Sequence, residues 1–424
     1  MSTGAGGFWF GVVVTGVGAG AGAIALTLLL EVVQHIIWPG TGSLLDAATG
    51  ASAWRHIVAL LGAGLLTGAG QFVLTRLPSG NGIDITEAIW FSAGRLPALR
   101  TLGSAALSIL LVGMGASLGR EGAPKQVGAV VANALAQRVG LSDEQRRLLV
   151  ACGAGAGMAA AYGVPLGGAL FAVEVLRGAL ALRLVLPALV ASLIATAVSW
   201  LALPDSPTYT IPAYQNSTSA IFWALLIGPV AGVASVGFVR AAAWADRNRP
   251  KGWKRLFAPT LALGTIGAVS IHFPQILGNG KDIAQLAFTG DVAPMLLVAL
   301  VFVRPAATLL CIASGVPGGL FTPTLAAGAL LGGALGCGCS WLWPGASIGS
   351  FAVIGAAAML AATTQGPISA IVLMMELTGR DRSLIIPMLL AVSTATLVAR
   401  TIESRSIYDA RLTDSEVQER QRLR

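Results

Sequence analysis

Charge is scarce in this sequence. Only 11% of its 424 residues are Asp, Glu, Lys or Arg, while 55% are hydrophobic. A soluble surface needs more charge than that, so a soluble globular fold is excluded. Alternation of apolar and polar residues is also missing, which excludes a transmembrane β-barrel. Histidine (3) and cysteine (4) are few. His35, His56 and His272 are scattered and form no ligand set. Cys152, Cys311, Cys337 and Cys339 sit in apolar, Gly/Ala-rich segments and read as small packing residues. No metal and no cofactor is expected. "MSTGAGGFWF" lacks a basic n-region and a clear cleavage site, so no removable signal peptide is expected.

What the sequence has in abundance is apolar length. Runs begin near Phe10, His56, Leu99, Leu182, Ile221, Val292 and Ile386. A helix crossing a hydrocarbon core needs about 20 such residues. Other runs are interrupted by Gly and Pro. The expected fold class is an all-α integral membrane protein. Many of the 54 glycines fall at helix-packing spacing, as in Gly328, Gly332 and Gly336; small residues let membrane helices approach closely. "GVGAGAG" is no dinucleotide fingerprint, because it lies inside an apolar span with no strand before it. The net charge of +8 is concentrated in "DRNRPKGWKR" (246–255) and in the tail from Arg400. Both are expected in the cytoplasm by the positive-inside rule, and the nearly uncharged 204–219 outside. The basic residues thus serve topology. The lipid bilayer is an expected partner, and nucleic acid is not.

The chain says nearly the same thing twice. "LPSGNGIDIT" (77–86) matches "QILGNGKDIA" (275–284), "GREGAP" (119–124) lines up with "GGLFTP" (318–323), and "GVPLGGALFAVEVLRG" (163–178) with "QGPISAIVLMMELTG" (365–379). The order is kept and the offset is about 200 residues each time. Three ordered matches imply two homologous membrane halves, expected at 1–205 and 206–404, followed by a short cytoplasmic tail at 405–424. Duplicated halves broken by Gly and Pro at corresponding places point to a transporter or channel with a site near the midplane.

Each matched motif leads from a Gly-rich turn into an apolar helix. The first N–H groups of a helix lack intrahelical partners, and the aligned peptide dipoles make that end positive. Several such ends aimed at one point form an anion site without a full cationic charge. That suits transport, since permeation needs binding weak enough to release. Glu121 stands at such a helix start. A charge at the bilayer centre costs about 2.5–3.5 kcal/mol on insertion scales. Glu121 carries the charge the site is built to hold, so it is a candidate gate, proton carrier, or both. The alternative is a plain ion pair with Arg120 or Lys125 near the interface.

At these residues the sequence resembles the CLC family of chloride channels and chloride/proton antiporters. "GREGAP" resembles its GREGP motif, with alanine in the proline position and a proline one place later. "GGLFTP" resembles GxFxP, "GNGID" stands where the family has GSGIP, and "SIYDARL" (406–412) resembles the segment bearing its central tyrosine. The likeness runs from about Leu77 to Tyr408. It implies two inverted-topology repeats, a homodimer, and an anion pathway in each subunit. Carried over residue by residue, Glu121 matches the external gating glutamate. Asn81 takes the place of the serine that coordinates the central anion, and Tyr408 matches the coordinating tyrosine. Leu320 and Phe321 match positions whose backbone amides face the ion. Amides at Gly82, Ile83 and Gly122 complete the expected anion-binding set.

Departures from the pattern bear on function. Asn81 replaces serine and offers a side-chain N–H donor. Asp84 replaces proline and reads as a helix-start carboxylate, as does Asp282 in the other half. The family's chloride/proton antiporters commonly carry a glutamate immediately after the position of Glu174; here that residue is Val175. Glu174 and its repeat mate Glu376 are therefore expected at helix ends in structural roles. Little chain follows Tyr408, so no nucleotide-binding regulatory domain is expected. The sequence offers no nucleophile–base pair, so an enzyme is not expected. Chloride is the default cargo of a channel or an anion/proton antiporter in a bacterial plasma membrane. A fluoride/proton antiporter is the alternative.

Overall fold

The computed structural model describes residues 5–77, 82–214, 218–343, 347–379, 384–409 and 412–423. The first half holds α1 (Ala5–Ile37), α2 (Leu44–Thr49), α3 (Ala53–Leu74), α4 (Ile85–Phe91), α5 (Ala98–Gly113), α6 (Gly122–Val139), α7 (Asp143–Tyr162), α8 (Pro165–Leu170) and α9 (Leu182–Ser199). The second holds α10 (Thr218–Arg247), α11 (Lys254–Ser270), α12 (Lys281–Thr289), α13 (Pro294–Ser314), α14 (Phe321–Leu342), α15 (Ile348–Thr364), α16 (Pro367–Thr378) and α17 (Ile385–Ile402); α18 (Asp414–Leu423) follows. A π-helical turn, Phe171–Leu176, extends α8. Among the described residues there is no strand beyond one isolated bridge.

Among the described residues, seven helices are long and apolar enough to cross a membrane, and the protein is a multi-pass membrane protein. Six begin where the sequence suggested. The run near Leu99 does not qualify: α5 has 16 residues, starting after Pro97 and ending just before Gly115 takes φ +113°. Its place is taken by α14, a Gly/Ala-rich helix of 22 residues.

The halves repeat their packing. The α6–α7 pair has its counterpart in α14–α15, and α1–α9 in α10–α17. Equivalent helices also meet each other, α3 against α11 and α8 against α16. Small residues permit the first of these contacts. A Cβ on Gly64 or Gly68 of α3 would run into the backbone of Thr260 or Leu256 on α11. Buried His56 ties the same region together, with Nδ1 2.8 Å from Ser270 Oγ and Nε2 3.0 Å from the Ala48 carbonyl.

At α8 and α16 the halves exchange caps. Glu174 accepts the N–H groups of Ile368 (3.1 Å) and Ser369 (2.6 Å) at the start of α16. Glu376 accepts those of Leu166 (2.9 Å) and Gly167 (2.6 Å) at the start of α8. Each carboxylate satisfies orphan donors of the other half's helix, so both act at helix ends as the sequence suggested.

Candidate anion pathway

Gly119 and Gly319, from the matched motifs of the two halves, hydrogen-bond to each other. Each N–H donates to the other's carbonyl at 2.8 Å, forming an antiparallel bridge. The matched segments thus pair reciprocally across the halves, as the exchanged caps do. The bridge sets the starts of α6 and α14 side by side. Pro124 and Pro323 each fall at the third residue of their helix, where the missing N–H costs no intrahelical bond.

Glu121 is the N-cap residue of α6 and is fully buried. Its side chain makes no bond to its own helix. Oε1 instead accepts the Phe321 N–H at 2.6 Å, and Oε2 accepts the Thr322 hydroxyl at 3.1 Å. The carboxylate therefore sits on the positive end of α14, which offsets the cost of burying it. A Cβ on Gly119 or Gly319 would overlap that carboxylate, so the bridging glycines form its slot. Thr322 also pairs with the Tyr162 hydroxyl at 2.9 Å. Arg120 lies over the Tyr162 ring at 4.9 Å and reaches the Ala161 carbonyl at 3.4 Å, while Lys125 turns to Tyr408. It is α14, rather than either neighbouring cation, that holds Glu121.

Next to the bridge lies a cavity of ≈ 100 Å³. Ile83, Gly122, Leu320 and Tyr408 of the expected set line it together. Gly82 and Phe321 do not: the Cβ position of Gly82 faces the Glu87 carboxylate, and the Phe321 N–H is spent on Glu121. Asn81 lies outside the described residues. Asp84 also lines the cavity, but its Oδ1 caps α4, accepting from the Thr86 (2.8 Å) and Glu87 (3.1 Å) N–H groups. Burial first, then Asp84 and Glu416, push the Glu87 carboxyl above the usual range.

The expectation of a site without a full cation is corrected here. Lys125 lines the cavity and is 6% exposed. Its ammonium donates to the Tyr408 hydroxyl at 3.4 Å and lies 5.0 Å from the Phe171 ring centre and 4.9 Å from that of Tyr408. The two rings meet edge to face at 5.5 Å. Such cation–ring contacts contribute about 0.5–2 kcal/mol each, the more so when desolvated. The signal was present in the sequence: Lys125 is the sole charged residue between Gly122 and Gln137.

Two further cavities adjoin the residues of this region. One of ≈ 290 Å³ shares Ile83, Gly122, Gln126 and Gly318 with the first and is lined by Arg100 and Arg249. Arg249 belongs to the basic run expected in the cytoplasm. The other, ≈ 150 Å³, is lined by Arg120, the neighbour of Glu121, by Tyr162, Lys281 and Glu31, and by part of the 204–219 segment expected outside. The Gly-Asn-Gly turn of the second half, 278–280, is held by a buried side chain. Fully buried Arg304 donates there to the carbonyls of Gln275 (3.1 Å), Leu277 (3.2 Å) and Gly278 (2.7 Å). Asp282 accepts the Leu45 N–H at 3.1 Å rather than capping its own helix as Asp84 does.

A family model described as voltage gated chloride channel matches residues 63–400. The chain belongs to this CLC family. A CLC relative from Ralstonia nicotianae, a putative chloride channel protein ClcB-like, is 34% identical, with 89% of this chain and 91% of the relative covered. The voltage-gated ClC-type chloride channel ClcB of Escherichia coli O81 is 35% identical, with 87% and 89% covered. Among solved CLC structures, a slow cyanobacterial Cl-/H+ antiporter matches with a TM-score of 0.83 at 22% identity, covering 97% of this chain and 99% of that one. A CLC-type fluoride/proton antiporter matches with a TM-score of 0.77, also at 22% identity, covering 95% and 97%. At that identity the structures speak for the fold. The CLC fold accounts for the paired helix starts and for broken helices meeting inside the bundle.

Proposed function

We infer that this chain carries chloride across a bacterial inner membrane through these cavities, with Glu121 as the gate. The observation carrying this reading is the Glu121 carboxylate on the Phe321 N–H, beside a cavity walled by Gly122, Leu320 and Tyr408. An anion gives up water for backbone N–H groups at the starts of α6 and α14 and for the Tyr408 hydroxyl. The carboxylate occupies the α14 end until protonation or an arriving anion displaces it. Chloride is favoured by the names of the ClcB relatives. The halves, 1–205 and 206–404, lie inverted to one another, a reading supported by the reciprocal Gly119–Gly319 bridge. The working unit is a homodimer, with Leu166 on α8 and Ile368 on α16 forming part of its exposed apolar face.

The usual inner proton position is Val175, buried and apolar, while Glu174 is committed to the start of α16. Coupling to protons is therefore weak or absent. Purified protein in liposomes loaded with potassium chloride or potassium fluoride tests the whole reading. Chloride efflux under valinomycin without proton movement is the expected result. Uphill proton movement would make it an antiporter, and efflux of fluoride alone would replace the cargo. Retention of both anions would overturn the function.

A further inference from the structure

One buried charge takes no part in the gate. Lys125 lies four residues after Glu121 on α6, so the two share a helix face one turn apart, about 6 Å along the axis. Its ammonium reaches the cavity wall beside Tyr408, Gly122 and Leu320. We propose that Lys125 is a direct ligand of the transported anion in this cavity and sets the affinity there, an assignment resting on the anion pathway proposed for the same cavity.

Three features support it. The rings of Phe171 and Tyr408 hold the ammonium from two sides, which fixes a side chain that otherwise has many rotamers. The ammonium also donates to the Tyr408 hydroxyl at 3.4 Å, and both residues stand on the wall of the cavity. The helix ends supply only partial positive charge; Lys125 adds a whole one, and charge-assisted hydrogen bonds are roughly twice as strong as neutral ones. The site should fill at low anion concentration and release slowly, with the Glu121 carboxylate one turn away as the competing negative charge.

The test is isothermal titration calorimetry of purified protein with potassium chloride and potassium fluoride, beside the concentration dependence of chloride uptake in liposomes. Lys125→Met and Lys125→Gln are each expected to weaken anion binding about tenfold or more. They should raise the half-saturating concentration by a similar factor without lowering the maximal rate. Lys125→Arg, which keeps the charge, is expected to stay close to the parent. A lysine serving only the fold would lower yield or stability while leaving the affinity of surviving protein at the parent value. That result, in either the Met or the Gln variant, overturns the proposal. Parent protein that binds anions but moves none would overturn the transport reading and leave the Lys125 assignment standing. Parent protein binding neither anion overturns both.

Discussion

The Glu121 carboxylate accepts the Phe321 N–H at 2.6 Å, joining the helix start of one half to that of the other. A negative side chain thus occupies the kind of position an anion would take, inside a fully buried slot. Its only route to neutrality is a proton, and its only route to freedom is displacement. That geometry is what the proposed gating role of Glu121 rests on.

Neutralising the side chain without changing its shape isolates the charge. In Glu121→Gln, anion flux is expected to lose its pH dependence, and any coupled proton movement should fall to background. Liposome efflux measured across a pH series checks this. An unchanged pH profile would remove Glu121 from the gate.

The slot can be filled from the other side. Ala at Gly319 places a Cβ in the space of the Glu121 carboxylate, and overpacking of this kind costs about 1–3 kcal/mol. The carboxylate is the part able to move. Gly319→Ala is therefore expected to fold with a lowered thermal midpoint and to show the weakened pH dependence of Glu121→Gln. Flux with parent pH dependence would mean that the carboxylate has another place to bind.

Much of this was legible in the sequence because repetition and motif spacing survive in linear order. The matched "GREGAP" and "GGLFTP" name the two helix starts that the Gly119–Gly319 bridge brings together. Glu174 and Glu376 read as helix-end carboxylates and are so. What spacing cannot reveal is which half each caps, because that exchange is a property of α8 and α16 packing. Lys125 was missed for a related reason. A lysine after a gating motif reads as a charge near an interface until the Phe171 and Tyr408 rings, 46 and 283 residues away in sequence, close around it. The short α5 shows the converse: an apolar run of adequate composition still ends where Pro97 and Gly115 end it.

The exchanged caps make a stability prediction separate from transport. Each of Glu174→Ala and Glu376→Ala strips two helix-start N–H groups of their acceptor, at a cost of about 1–3 kcal/mol. Both variants are expected to unfold at lower temperature in detergent while keeping the parent's anion selectivity, since neither residue lines the cavity. A change in selectivity with unchanged stability would place these carboxylates in the pathway instead.

Glu87 supplies a pH test on the short α4, which is not among the membrane spans. Burial, Asp84 and Glu416 raise its carboxyl in the folded protein. Below the unfolded value, about 4.3, both states hold the proton and folding bears no cost. As pH rises through the raised folded value, the ionised group must stay half-buried beside Asp84, and stability is lost. Glu87→Gln removes that loss. Its thermal midpoint is expected to exceed the parent's at about pH 7 and to match it at about pH 4. A gain of equal size at both pH values would mean that packing over Gly82, rather than ionisation, is what the glutamate costs.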